Sequence, residues 1–156
     1  MRRLAVALAA GLLTFAGLAI TASAEAPPPT VFVVTLDADE ERPPCAPATN
    51  AARGVAIFRV TDEATGTVEW KLVANNIPGN TTAAHIHLAP AGTPGGVVQA
   101  LPGVAGSENG VIGTGSFTNA ALLAAIRANP QNYYVNVHST VCAPGVIRGQ
   151  FGDNGP

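Results

Sequence analysis

Residues 53–74 read RGVAIFRVTDEATGTVEWKLVA. In the second half, Val68, Trp70 and Leu72 alternate with Glu69 and Lys71. Side chains at i and i+2 of an extended chain share a face, so this run has one apolar face and one charged face. Between the halves, Thr61-Asp62-Glu63-Ala64-Thr65-Gly66 supplies turn-forming residues. The stretch predicts a β-hairpin: strand Arg53–Val60, a turn, and strand Thr67–Ala74.

The same period of two continues on either side. Upstream, a strand is expected over Thr30–Leu36, followed by an irregular segment over Asp37–Asn50, where Pro43 and Pro44 exclude a central strand. Downstream, Asn75–Thr82 reads as a connection and includes the glycosylation sequon Asn80-Thr81-Thr82, which acts only in a eukaryotic secretory pathway. Further strands follow at Ala84–Leu88, Val97–Leu101, Gly110–Phe117, Asn132–His138 and Gly145–Phe151. One helix is expected over Ala120–Ala128. Thr118 or Asn119 caps its start, Leu122, Leu123 and Ile126 form its apolar stripe, and Pro130 lies past its end. Most of the 17 glycines and 13 prolines fall between these segments. About eight short strands with one helix predict an all-β fold, an antiparallel β-sandwich or small barrel.

The first residues read as an export signal. Arg2-Arg3 precede an apolar run from Leu4 to Ile20, and Ala22-Ser23-Ala24 fits a small-residue cleavage site. We expect a signal peptide at 1–24, a flexible leader at 25–30 and one domain at 31–152. The apolar run is short for a span of about 20 residues, so no membrane span is expected after cleavage. The chain is then secreted or otherwise extracytoplasmic. Without the signal, six basic residues face ten acidic ones. No basic stripe exists, which argues against a nucleic-acid partner. Asp37, Asp39, Glu40 and Glu41 form a small acidic cluster, read as a solvated turn. An exported chain with two cysteines predicts one disulfide, Cys45 to Cys142.

The chemistry concentrates in the three histidines. His85 and His87 form an HxH pair in Ala84–Leu88 and share a strand face. His138 shares a face with Asn136 in the next histidine-bearing strand. If the two strands are neighbours, three imidazoles gather in one polar patch with Asn136, Arg148 and Glu41. Two readings stand. In one, the rings form a structural hydrogen-bond network, donating to backbone carbonyls and accepting from Arg148, Asn136 or Thr140. In the other, they bind one metal ion, zinc or copper, with Asn136 and the acids near Glu41 orienting the rings. Arg148 is expected beside His138, pairing with Glu41. One of Tyr133 and Tyr134, which face opposite ways, lines the patch. No catalytic residue set is indicated. Ser139 faces away from the adjacent His138, and no G-x-S-x-G elbow surrounds any serine.

Several segments together resemble the chordin-type (CHRD) domain. Val33–Leu36 with Glu41-Arg42-Pro43-Pro44 resembles its opening, and Ala84-His85-Ile86-His87 its central histidine motif. Gly110-Val111-Ile112-Gly113-Thr114-Gly115, Tyr134–His138 and Gly145–Phe151 resemble its later strands. The resemblance covers residues 31–151. It implies an immunoglobulin-like β-barrel similar to copper/zinc superoxide dismutases, found in chordin and in exported bacterial proteins. It implies no settled catalytic residues. Three histidines are too few for the dismutase's two-metal centre. The expected function is a secreted, non-enzymatic binding or structural module whose partner is an unidentified extracellular protein or surface component. The alternative is a mononuclear metal protein using the three histidines, and no cofactor beyond such an ion is implied.

Overall fold

The computed structural model describes residues 28–104 and 106–153. The expected signal peptide and residues 25–27 of the leader lie outside the described residues. Eight strands form one antiparallel sheet: β1 (Val31–Asp37), β2 (Arg53–Asp62), β3 (Thr67–Asn75), β4 (Thr81–Leu88), β5 (Gly96–Ala100), β6 (Gly110–Thr118), β7 (Tyr133–Ser139) and β8 (Ile147–Gln150). Their spatial order is β5-β4-β7-β8-β1-β2-β3-β6. Among the described residues a single α-helix, α1 (Ala120–Ala128), precedes a 3-10 turn over Pro130–Asn132. No helix among the described residues is long and apolar enough to cross a membrane.

The founding hairpin forms with Phe58 opposite Trp70 and Ala56 opposite Leu72, all buried. β2 runs on to Asp62 through a bulge, beyond the expected end at Val60. There the Asp62 carboxylate accepts the backbone N–H groups of Ala64 and Thr65, and this closes the turn later than expected. β4 likewise starts at Thr81, inside the expected connection. Thr81 is buried opposite Ser139, and its hydroxyl accepts the N–H of Ser107. At the C-terminal end the strand is shorter than expected, since Gly145 and Val146 belong to a turn bonded to Cys142 and Val137.

The sheet curls so that its two halves share one core. Phe32, Phe58, Trp70 and Leu72 from one half join Ile86, Val135, Val137 and Ile147 from the other. Trp70 needs room, and β6 provides it. A Cβ at Gly113 would sit 2.9 Å from the indole, and one at Gly115 would sit 3.0 Å from it. These glycines therefore thin the strand to admit the largest core side chain. The halves join where Asp37 of β1 pairs with Arg148 of β8. Here Gly149 lies against β1, and a Cβ would fall 1.8 Å from the Thr35 carbonyl oxygen.

Helix α1 closes one side of the core with Leu122, Leu123 and Ile126. Its N-cap is Asn119, whose side-chain oxygen accepts the N–H of Leu122 at 3.0 Å. At the other end Arg127 grips both carboxylate oxygens of Glu63, tying the helix to the hairpin turn. Replacing Asn119 by Ala removes the cap and is expected to cost about 1 kcal/mol of stability, read as a lower urea midpoint with unchanged slope.

Candidate functional site

Away from the core, the outer face of β4, β7 and β8 is polar and buried. Direct cross-strand pairs share a face, and here they are His85 with Asn136, His87 with Tyr134, and Ala83 with His138. β8 adds Arg148 opposite Asn136 and Gln150 opposite Tyr134. Glu41, His87, Asn136, Arg148 and Gln150 are all buried, because the segments that follow β1 and β4 fold over this face.

The three imidazoles converge. Ring centroids lie 4.9 Å apart for His85 and His138, 5.6 Å for His85 and His87, and 6.2 Å for His87 and His138. One nitrogen from each ring falls within 4.8 Å of the other two. His85 Nδ1 and His138 Nε2 are hydrogen-bonded at 3.0 Å. Nitrogens sharing one tetrahedral zinc ion lie about 3.3 Å apart, given bonds of about 2.0–2.1 Å. The three nitrogens, within 4.8 Å of one another, are compatible with one shared ion.

Backbone carbonyls orient the rings. His87 Nδ1–H donates to the Gly95 carbonyl at 2.9 Å, and His138 Nδ1–H donates to the Ala143 carbonyl at 2.8 Å. A carbonyl can only accept, so in each neutral ring Nε2 carries the lone pair. His87 Nε2 is buried and has no hydrogen-bond partner among the described residues. Burial and the neighbouring rings hold His85 below the usual imidazole pKa. Burial likewise lowers His138, with the His87 charge adding to it. The lowering favours the neutral form of both rings, the form that binds metal. These carbonyls take the orienting role expected of Asn136 and the acids near Glu41. Asn136 lies buried between His85 and Arg148, but none of its hydrogen bonds reaches a ring in the described geometry, and its Oδ1 is unpartnered there.

Arg148 also departs from expectation. It neither pairs with Glu41 nor lies against His138. Its guanidinium donates to the carbonyls of Pro90 and Thr93 and to Gln150 Oε1. Its Cζ sits 3.4 Å from the centre of the Tyr134 ring. A buried guanidinium needs its donors satisfied, and the two loop carbonyls together with Gln150 Oε1 do so. Tyr134 in turn stacks on His87, with centroids 4.8 Å apart and planes 9° from parallel. Of the two tyrosines, Tyr134 is the one that lines the patch.

Glu41 is not a solvated acid of a turn. It is 1% exposed, and its pKa is pushed up to about 7 by burial. The Arg42 N–H, the Arg148 charge and the Asn136 amide only partly offset that burial. Oε1 accepts the Arg42 N–H at 3.0 Å, while Oε2 has no hydrogen-bond partner among the described residues. Cys45 and Cys142 form the expected disulfide. The Ser139 hydroxyl is engaged as well, donating to the Pro78 carbonyl and accepting from Cys142 N–H.

The described residues form an all-β domain with a covered polar layer and three clustered imidazoles. The family is specific: a family model for the CHRD domain matches residues 32–151, and the chain belongs to the CHRD domain family. No curated protein and no solved structure matches the chain.

Proposed function

We propose that this chain is an exported, non-enzymatic CHRD module whose binding chemistry is a single transition-metal site. His85, His87 and His138 hold one zinc or copper ion, and its remaining coordination position is open to a partner group or to water. The observation that carries this reading is the buried Nε2 of His87, which has no hydrogen-bond partner among the described residues and lies in a cluster whose nitrogens fall within 4.8 Å. A buried imidazole nitrogen left unsatisfied costs free energy that coordination recovers. Two of the three rings also donate their other N–H to a backbone carbonyl, the usual arrangement around a metal-bound histidine.

The bond between His85 and His138 supports a second reading, a structural network that fixes the register of β4 on β7. Metal analysis separates the two. Purified protein incubated with zinc or copper(II) and then desalted is expected to retain about one ion per chain. His87→Ala is expected to lose that ion and keep its β-sheet circular dichroism. A wild-type protein that retains no metal, with a variant that unfolds, would establish the network instead.

A further inference from the structure

We propose that Tyr134 is a positioning residue for the metal site: it fixes the ring plane of His87 and so sets the direction from which His87 Nε2 meets the ion. The proposal rests on the metal reading above and deepens it.

His87 is held by a ring stack as well as by a hydrogen bond. One face lies against Tyr134 in a near-parallel stack of 4.8 Å and 9°. Its Nδ1–H is bonded to the Gly95 carbonyl at 2.9 Å. The Tyr134 hydroxyl oxygen accepts the Gly95 N–H at 3.0 Å. Both rings therefore hang from the same residue, one from its carbonyl and one from its amide. Gly95 comes close enough to do this only without a side chain, since a Cβ would lie 2.1 Å from the Leu88 carbonyl oxygen.

Tyr134 is itself packed on its ring. Arg148 covers its other face at 3.4 Å. That guanidinium is anchored to the carbonyls of Pro90 and Thr93, in the loop that carries Gly95. The order guanidinium, phenol, imidazole is thus clamped at both ends. His85 and His138, bonded to each other, must break that bond to admit an ion. His87 Nε2 has no such bond to break among the described residues, and Tyr134 fixes the plane in which it lies. Outer groups that orient a ligand typically change metal affinity by about 10–100-fold when removed.

Copper(II) is the probe, with affinity taken by competition and the number of bound nitrogens from electron paramagnetic resonance. Wild type is expected to show three nitrogens. Tyr134→Leu is expected to bind about 10–100-fold more weakly, with an altered hyperfine pattern. Tyr134→Phe keeps the stack and loses only the bond to Gly95. It is expected to bind about fivefold more weakly while keeping the three-nitrogen spectrum. Should Tyr134→Leu fail to fold, Tyr134→Phe decides alone. Folded variants with wild-type affinity and spectrum would overturn the positioning role, even if their melting temperatures fall. Wild type that binds no copper, or whose binding survives His87→Ala, would overturn the metal reading and this role with it.

Discussion

Replacing both cysteines by alanine is expected to remove about 4 kcal/mol of stability. The bond joins residues 97 positions apart, Cys45 in the segment after β1 and Cys142 in the turn before β8. A crosslink of that span restricts the unfolded chain far more than the folded one, and the loss of that restriction is the main cost. Domains of this size hold about 5–15 kcal/mol in total, so the double variant is left marginal. Local contacts add to the effect. Cys142 is buried, its N–H is capped by Ser139, and its carbonyl accepts the N–H groups of Ser139 and Gly145. The next residue, Ala143, orients His138. Urea denaturation of the oxidised wild type and the Cys45→Ala/Cys142→Ala protein measures the difference. A loss under about 1 kcal/mol would mean that the unfolded chain is already compact around these positions.

The second large effect is a pH dependence centred on Glu41. Its pKa rises from the usual 4.5 to about 7 in the folded protein. The folded state therefore holds this proton more tightly than the unfolded state. The stabilising contribution is complete below pH 4.5 and is lost as pH climbs through about 7, a swing of about 3 kcal/mol. His85 and His138 have lowered pKa values and act in the opposite sense, since they favour folding above the imidazole range and lose that contribution on acidification. Glu41→Gln isolates the carboxyl. Glutamine stays neutral, and its side-chain oxygen can still accept the Arg42 N–H that Glu41 Oε1 accepts. At pH 8 the variant is expected to be more stable than wild type by about 2–3 kcal/mol, and at pH 4.5 the two should converge. Thermal denaturation at both pH values reads this directly. Parallel pH profiles for the two proteins would show that Glu41 does not carry the shift.

The fold was legible because alternation is a strong signal. Val68-Glu69-Trp70-Lys71-Leu72 marks its own strand, and the helix at Ala120–Ala128 is bracketed by a cap and a proline. Strand ends were less legible, because β2 and β4 extend through a side-chain-closed turn and a buried threonine rather than through periodicity. The gathering of His85, His87 and His138 followed from parity within each strand plus one guess, that the two strands are neighbours, and β4 does pair with β7. Parity could not assign partners. Gly95, Ala143, Pro90 and Thr93 act through carbonyl oxygens, which any residue possesses, so no residue type announced them. Arg148 likewise bonds to two of these carbonyls, but its third acceptor, Gln150 Oε1, is legible, since the two residues share a strand face. The burial of Glu41 was hidden too. Its neighbours Asp39 and Glu40 are exposed, and only the fold of the covering segment turns one acid of the three inward.

The seam between the two halves has a consequence for how the chain comes together. β1 has two neighbours, β2 immediately after it in sequence and β8 near the other terminus. One rim of β1 therefore stays bare until residues 147–150 arrive, with Gly149 fitting tightly against Thr35. Closure over so long a stretch of chain makes for slow folding. A polypeptide ending short of residue 147 would keep that rim open to pairing with other chains, so loss of β8 should add an aggregation-prone edge to the sheet.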